Sequence, residues 1–169
     1  GSHQYLFAFE ESYGYLAGDY ARDKDAVTAS MLIAEMAAYY RTQGKTLYDA
    51  MEEMYEKYGY YCEQTISITM PGVSGLQRMK ELMSELREKP LTQVGSDKVE
   101  YTRDYLPGTR TCMDCGKVEE MELKGQNVMY YELEGGTTFI IRPSGTEPKV
   151  KVYIMAKGDS KADAAAKVD

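Results

Sequence analysis

Long apolar runs are missing from the 169 residues. No stretch approaches the roughly 18–20 apolar residues that cross a bilayer, so a membrane-spanning helix and a membrane partner are not expected. The N-terminus also lacks the basic-then-apolar pattern of a secretion signal. Cysteine is sparse: Cys62, Cys112 and Cys115 are an odd count at low density. That fits a reducing compartment better than a disulfide scaffold, and the expected location is cytoplasmic. The single histidine, His3, sits in Gly1-Ser2-His3, a string of the kind a protease leaves when it removes an expression tag. Residues 1–3 are therefore set aside, and histidine acid–base chemistry with them. A basic excess is also lacking. Twenty Lys and Arg against 27 Asp and Glu give a net charge of −7, whose field repels polyanions and argues against a general nucleic-acid binder. What is present, 43% hydrophobic and 28% charged residues, is the composition of a globular chain of one ordinary or two small domains.

Residues 4–9 (QYLFAF) have the composition of a buried strand, and Glu10-Glu11-Ser12-Tyr13-Gly14 reads as a loop leaving its C-terminal end. In open α/β sheets that end is where ligands bind. Asp25 is placed to cap a helix in which Val27, Met31, Ala34, Ala38 and Tyr39 recur at three- and four-residue spacing, stopped by Gly44. Thr46 opens a second helix with Leu47, Met51, Met54 and Tyr55 on one face and Gly59 at its end, giving two antiparallel helices. From Tyr60 the period changes. Ile66, Ile68 and Met70 alternate with polar residues in a half-buried strand ending at Pro71-Gly72. Leu76, Met79, Leu82, Met83 and Leu86 then mark a helix ended by Pro90. Residues 99–106, 127–134, 137–142 and 149–156 read as strands, with a turn at Glu134-Gly135-Gly136, and Ser160 starts a final helix. The expected organisation is a C-terminal piece of a larger protein. Residues 4–59 would be the last strand and paired helices of an α/β domain, 60–169 a compact α+β domain, and 58–61 the linker.

Phosphate is recognised by a bidentate guanidinium, short hydroxyls and closely approaching backbone N–H groups, and glycine permits that approach. Arg142-Pro143-Ser144-Gly145-Thr146-Glu147-Pro148-Lys149 offers Arg142, Ser144, Gly145 and Thr146 between two strand-like runs. A surface hairpin using the same residues for its turn is the competing reading. The segment Glu10-Glu11-Ser12 suits a polyol, since carboxylates accept from vicinal hydroxyls, although a solvated acidic loop has the same composition. Arg22, Lys24 and Lys149 are further candidates for anion contact. Lys149 and Lys151 alternate with Val150 and Val152, so both lysines face away from the core. Cys112-Met113-Asp114-Cys115 has the spacing of half a zinc knuckle, but four ligands are not available, and no metal site is expected. The 11 methionines read as core filler and the 16 tyrosines mostly as packed rings with hydroxyls at the surface.

The strings FEESYGYLAGDYARDKDAV and RPSGTEPKVKVY resemble the α-D-phosphohexomutase superfamily, specifically bacterial phosphoglucomutase/phosphomannomutase, over essentially the whole chain. In that family the first string is the sugar-binding loop of the third domain and the second the phosphate-binding loop of the fourth. The resemblance implies that Glu10 and Ser12 contact sugar hydroxyls and that Arg142, Ser144, Gly145 and Thr146 hold the non-reacting phosphate. Ala8 and Ala26 depart from the usual glycines of the family. The family's catalytic segment, Thr-Ala-Ser-His-Asn-Pro-like, and its magnesium loop, Asp-Gly-Asp-Gly-Asp-like, do not occur here. The fold implied is the end of a mixed-sheet α/β domain followed by a TATA-binding-protein-like antiparallel sheet domain with helices. The activity implied for the full-length protein is interconversion of hexose 1-phosphate and hexose 6-phosphate through a phosphoserine and a hexose 1,6-bisphosphate. The resemblance implies Mg2+ and glucose 1,6-bisphosphate as its cofactors, neither bound by this piece alone. The partners are the hexose phosphate and the N-terminal domains of the same chain, and this piece alone is expected to be inactive. Another superfamily mutase acting on phosphoglucosamine or phosphopentose, or a non-catalytic sugar-phosphate-binding module, are the alternatives.

Overall fold

The computed structural model describes residues 4–10, 13–72, 74–145 and 147–168. The chain divides into two units, residues 1–57 and 58–169. No helix among the described residues is long and apolar enough to cross a membrane.

In the first unit, β1 (Phe7–Phe9) pairs antiparallel with β2 (Tyr15–Ala17), with Phe9 opposite Tyr15. Glu10 and Gly14 flank the connection of this hairpin. The expected buried strand is instead exposed at every position, with Phe7 52% and Phe9 71% accessible, because among the described residues β2 is its only strand neighbour. α1 (Ala26–Thr42) starts where predicted: Asp25 accepts from the N–H groups of Val27 at 2.9 Å and Thr28 at 3.3 Å. Its packing face differs from the expected one. Val27 is 80% and Met31 55% exposed, whereas Ala29, Leu32, Ile33 and Met36 line an apolar cavity of about 410 Å3 with Phe7, Tyr15 and Leu47. A helix apolar on several sides offers two stripes of equal spacing, and the hairpin selects between them. α2 (Leu47–Tyr58) begins with a reciprocal cap, the Thr46 N–H donating to Asp49 at 2.8 Å and the Asp49 N–H to the Thr46 hydroxyl at 3.2 Å.

The second unit is built on an antiparallel sheet. Its elements in chain order are β3 (Tyr60–Thr69), α3 (Gly75–Glu88), β4 (Gln93–Val94), β5 (Asp97–Asp104), β6 (Thr109–Cys112), β7 (Val118–Glu120), β8 (Met129–Leu133), β9 (Thr138–Pro143), β10 (Lys149–Gly158) and α4 (Lys161–Ala166). The spatial order is β3-β10-β9-β8-β5-β6-β7, with β4 paired to β5. Alternation sorts each strand between two faces. Met129, Tyr131 and Leu133 of β8, Ile141 of β9 and Val150 and Val152 of β10 are buried, and they meet Met79, Met83 and Leu86 of α3 in one core. Each such side chain contributes about 1.5–3 kcal/mol of burial. α4 packs on β3 and β10, capped by Ser160, whose hydroxyl accepts from the Asp163 N–H at 3.1 Å.

Two expectations change here. The strand over 60–69 was expected to be half buried, but β3 is the sheet's edge and leaves Ile66 41% and Ile68 46% exposed. Tyr131 is also fully buried, unlike most of the tyrosines, and burial pushes its phenol up to about 12. The strands β2, β4, β6 and β7 were not foreseen. The class of fold is the expected one, with hairpin and helices in the first unit and an antiparallel sheet with helices in the second.

Candidate functional site

Two groups of candidate residues are formed, one in each unit. In the first, the turn between β1 and β2 is closed by the Glu10 N–H donating to the Gly14 carbonyl at 2.8 Å, and Tyr13 takes a left-handed conformation with φ 63°. The Lys24 ammonium lies 3.4 Å from the Glu10 carboxylate and 3.1 Å from that of Asp23. These contacts raise the Lys24 pKa, the Asp23 hydrogen bond foremost and the Glu10 hydrogen bond next. Gly14 permits the crossing: a Cβ there would lie 2.6 Å from the Lys24 side chain and 3.3 Å from the Glu10 carboxylate.

The structure thus joins Glu10 and Lys24, and Lys24 serves two carboxylates. Its charge is committed locally, which makes it a weaker candidate for anion contact than the sequence suggested. Arg22 is exposed in the same loop. Asp25 is held well below the usual carboxylate range, at about 2, by hydrogen bonds first from Tyr20 and then from Thr28. It is a cap, not a ligand. Ser12 lies outside the described residues.

In the second unit the loop between β9 and β10 carries the other group. Arg142 sits near the end of β9 and is exposed, and among the described residues no carboxylate lies within ion-pair distance of it. Its cross-strand partner is Lys151, which in turn pairs with Ser67 on β3. Cross-strand partners share a face, so these three residues form a row on the side of the sheet opposite Val150 and Val152. The loop is internally bonded. The Ser144 N–H donates to the Lys149 carbonyl at 2.9 Å, the Lys149 N–H to the Glu147 carbonyl at 2.8 Å, and the Glu147 N–H to the Ser144 hydroxyl at 3.3 Å.

Gly145 at the tip is exposed, with open space where a Cβ would be. Lys149 is bound 2.5 Å from Glu147 and lowers the pKa of that carboxyl through the hydrogen bond. Of the predicted residues, Arg142, Ser144, Gly145 and Lys149 come together, whereas Thr146 lies outside the described residues. Arg142, Lys149 and Lys151 against Glu147 leave the loop positive, in a chain that is acidic as a whole.

The loop's seat was not foreseen. The Met70 N–H donates to the Pro148 carbonyl at 2.7 Å, anchoring the loop to the end of β3. The first residue of α3 must then be glycine, because a Cβ at Gly75 would lie 1.9 Å from the Met70 carbonyl oxygen and 3.1 Å from Pro148. The sequence pattern marks the helix only from Leu76, and the need for glycine at its first residue comes from a contact with residues far along the chain. Among the described residues no group of three or more His, Cys, Asp or Glu converges as a shell for a metal ion.

Comparison with known proteins places these loops. Residues 1–58 match the family model for phosphoglucomutase/phosphomannomutase, alpha/beta/alpha domain III, and residues 112–168 match that for the phosphoglucomutase/phosphomannomutase C-terminal domain. The chain is 36% identical over 165 residues to a phosphoglucomutase of Staphylococcus aureus strain RF122, covering 97% of this chain and 30% of that one. It is 38% identical over 157 residues to a phosphoglucomutase of Staphylococcus haemolyticus, covering 92% of this chain and 28% of the relative. The crystal structure of the Paramecium exocytosis-sensitive phosphoprotein pp63/parafusin, a phosphoglucomutase in its open form, shares the fold with a TM-score of 0.57 at 15% identity, over 96% of this chain and 28% of that one. The chain therefore spans less than a third of the length of the relatives it matches.

Proposed function

Because the chain belongs to the phosphoglucomutase/phosphomannomutase family, we propose that it is the substrate-binding C-terminal part of a phosphoglucomutase. The full-length protein is then an intramolecular phosphotransferase in the cytoplasm that interconverts hexose 1-phosphate and hexose 6-phosphate. Residues 4–59 belong to its third domain and 60–169 to its fourth. The observation that carries the reading is Arg142, exposed beside a glycine-tipped loop with no carboxylate competing for its guanidinium among the described residues.

The demand on this loop is specific. It must hold the phosphate that is not reacting, then release it so that the bisphosphate can turn. One guanidinium with neutral N–H and hydroxyl donors binds a dianion by charge-assisted hydrogen bonds without enclosing it. Lys149 neutralises Glu147, so the only carboxylate of the loop does not oppose the incoming charge. In the first unit, the ion pair with Lys24 orients the Glu10 carboxylate as an acceptor for sugar hydroxyls, with Ser12 beside it in sequence.

The phosphoserine and the Mg2+ of the reaction belong to segments outside these residues. The described residues supply no metal shell, so no step of this chain runs through the ion. Its own work is to bind and orient, and alone it is inactive. The test is a coupled mutase assay on the full-length protein with glucose 1-phosphate, Mg2+ and a trace of glucose 1,6-bisphosphate, beside mannose 1-phosphate. Turnover of glucose 1-phosphate supports the reading, and turnover of the mannose substrate alone changes the sugar. Inactivity on both shifts the reading to a mutase of phosphoglucosamine or phosphopentose, or to a non-catalytic sugar-phosphate-binding module.

A further inference from the structure

The turn between β6 and β7 brings two thiols together at the surface of the second unit. Cys112 is the last residue of β6 and is half buried, and Cys115 is exposed three residues later. Backbone bonds fix the turn around Cys112. Its N–H donates to the Lys117 carbonyl at 2.9 Å, and its carbonyl accepts from the Gly116 N–H at 3.0 Å, with Gly116 left-handed at φ 70°. The Cys115 N–H points at the Cys112 sulfur, 3.4 Å away, so the two residues meet across the turn. A disulfide needs Cβ atoms about 3.5–4.5 Å apart, and the 3.4 Å approach of the Cys115 N–H to the Cys112 sulfur already brings the two residues face to face across the turn. A small closure of an exposed turn therefore suffices.

The surroundings favour the thiolate. The bond from Cys115, followed by its backbone N–H, lowers the pKa of the Cys112 thiol. Asp114, whose charge opposes that, is engaged by Lys98, and Lys117 lies within the field of Cys115. A competing partner is remote. Cys62 is on β3, five strand spacings from β6 across the sheet, or roughly 24 Å at about 4.8 Å per spacing. No third metal-ligating side chain joins the two sulfurs among the described residues, so the pair is a dithiol and not a metal shell.

We propose that Cys112 and Cys115 are a redox-active dithiol that closes to an intramolecular disulfide by exchange with a low-molecular-weight disulfide. The Cys112 thiolate attacks one sulfur of the small disulfide, forming a mixed disulfide and expelling one small thiolate. Cys115, giving its proton to solvent, attacks the Cys112 sulfur and expels the second small thiolate. The dithiol loses two electrons and two protons, and the small disulfide is reduced to two thiols. Nothing in this step depends on sugar-phosphate binding.

The experiment is equilibration of the 169-residue chain with glutathione redox buffers, followed by acid quench, alkylation and intact mass. The wild type and Cys62→Ser should each pass in one step from two alkylatable thiols at residues 112 and 115 to none, with no glutathione retained. Cys115→Ser should instead trap one glutathione on Cys112. Retention of glutathione by the wild type, independent alkylation of the two thiols, or a disulfide that includes Cys62 would each overturn the proposal. Circular dichroism of the serine variants separates a chemical effect from misfolding.

Discussion

Gly75 leaves room for the Met70 carbonyl, from which a Cβ at residue 75 would stand only 1.9 Å. Met70 is also the residue whose N–H holds Pro148, so the start of α3 and the loop that follows β9 share one support. Gly75→Ala should lower stability by about 1–3 kcal/mol through the forced backbone shift, measured as a lower midpoint in urea. Gly145→Ala, whose Cβ meets nothing, should stay within about 0.5 kcal/mol of wild type while weakening phosphate binding. Equal destabilisation by both would remove the shared support.

Arg142→Ala should weaken sugar-phosphate binding. Loss of charge-assisted bonds worth about 1.5–3 kcal/mol corresponds to roughly 10- to 150-fold in kcat/KM of the full-length enzyme. Arg142→Lys should recover only part, since an ammonium cannot reproduce the two-point contact. Steady-state kinetics on glucose 1-phosphate decide this, and an unchanged kcat/KM excludes the role.

Glu132 joins three strands by accepting from Arg103 at 2.6 Å and from two nitrogens of Arg110 at 2.9 and 2.8 Å. The Arg110 hydrogen bonds, opposed by burial and aided by Arg103, hold its pKa below 4.5. A depressed carboxyl pKa contributes stability that is complete above the unfolded value, and that stability fades as pH falls from 4.5 through the lower folded value. Glu132→Gln should cost about 1–3 kcal/mol near neutrality. It should also flatten the acid limb of the stability curve, seen in denaturant titrations between about pH 5 and 2.

Asp25 has the same sign. Its carboxyl, at about 2 in the folded chain against an ordinary 3.8, supports the start of α1 at neutral pH and releases it as pH drops through that interval. Asp25→Ala should speed amide exchange at Val27 and Thr28, and Asp25→Asn should restore part of the protection. Identical exchange in all three proteins would rule out the cap.

Much of this was legible along the chain where one face of an element is buried and the other is not. Val150 and Val152 against Lys149 and Lys151 gave β10, and the stripe through Met79, Met83 and Leu86 gave α3. The caps Asp25 and Ser160 marked helix starts by chemistry that acts over three residues. The short strands were hidden for the opposite reason. β6 carries Thr-Arg-Thr-Cys without alternation of polarity, and it exists because β5 offers a ladder. The packing face of α1 was ambiguous because its apolar residues encircle it, and β1 looked buried from composition although its burial depends on neighbours.

At the sites, residue types were readable but their commitments were not. No spacing rule says that Lys24 belongs to Glu10 and Asp23, or Lys149 to Glu147.

The position of β3 at the sheet boundary has a practical consequence. Ten residues long, with Glu63 its only charge and Ile66 and Ile68 accessible, it leaves one line of main-chain donors and acceptors without a strand neighbour among the described residues. Proteins ordinarily blunt such borders with lysine, proline or a bulge, and this strand has none of the first two. Handled in isolation at high concentration, the chain carries a built-in template for strand-to-strand self-association through this border.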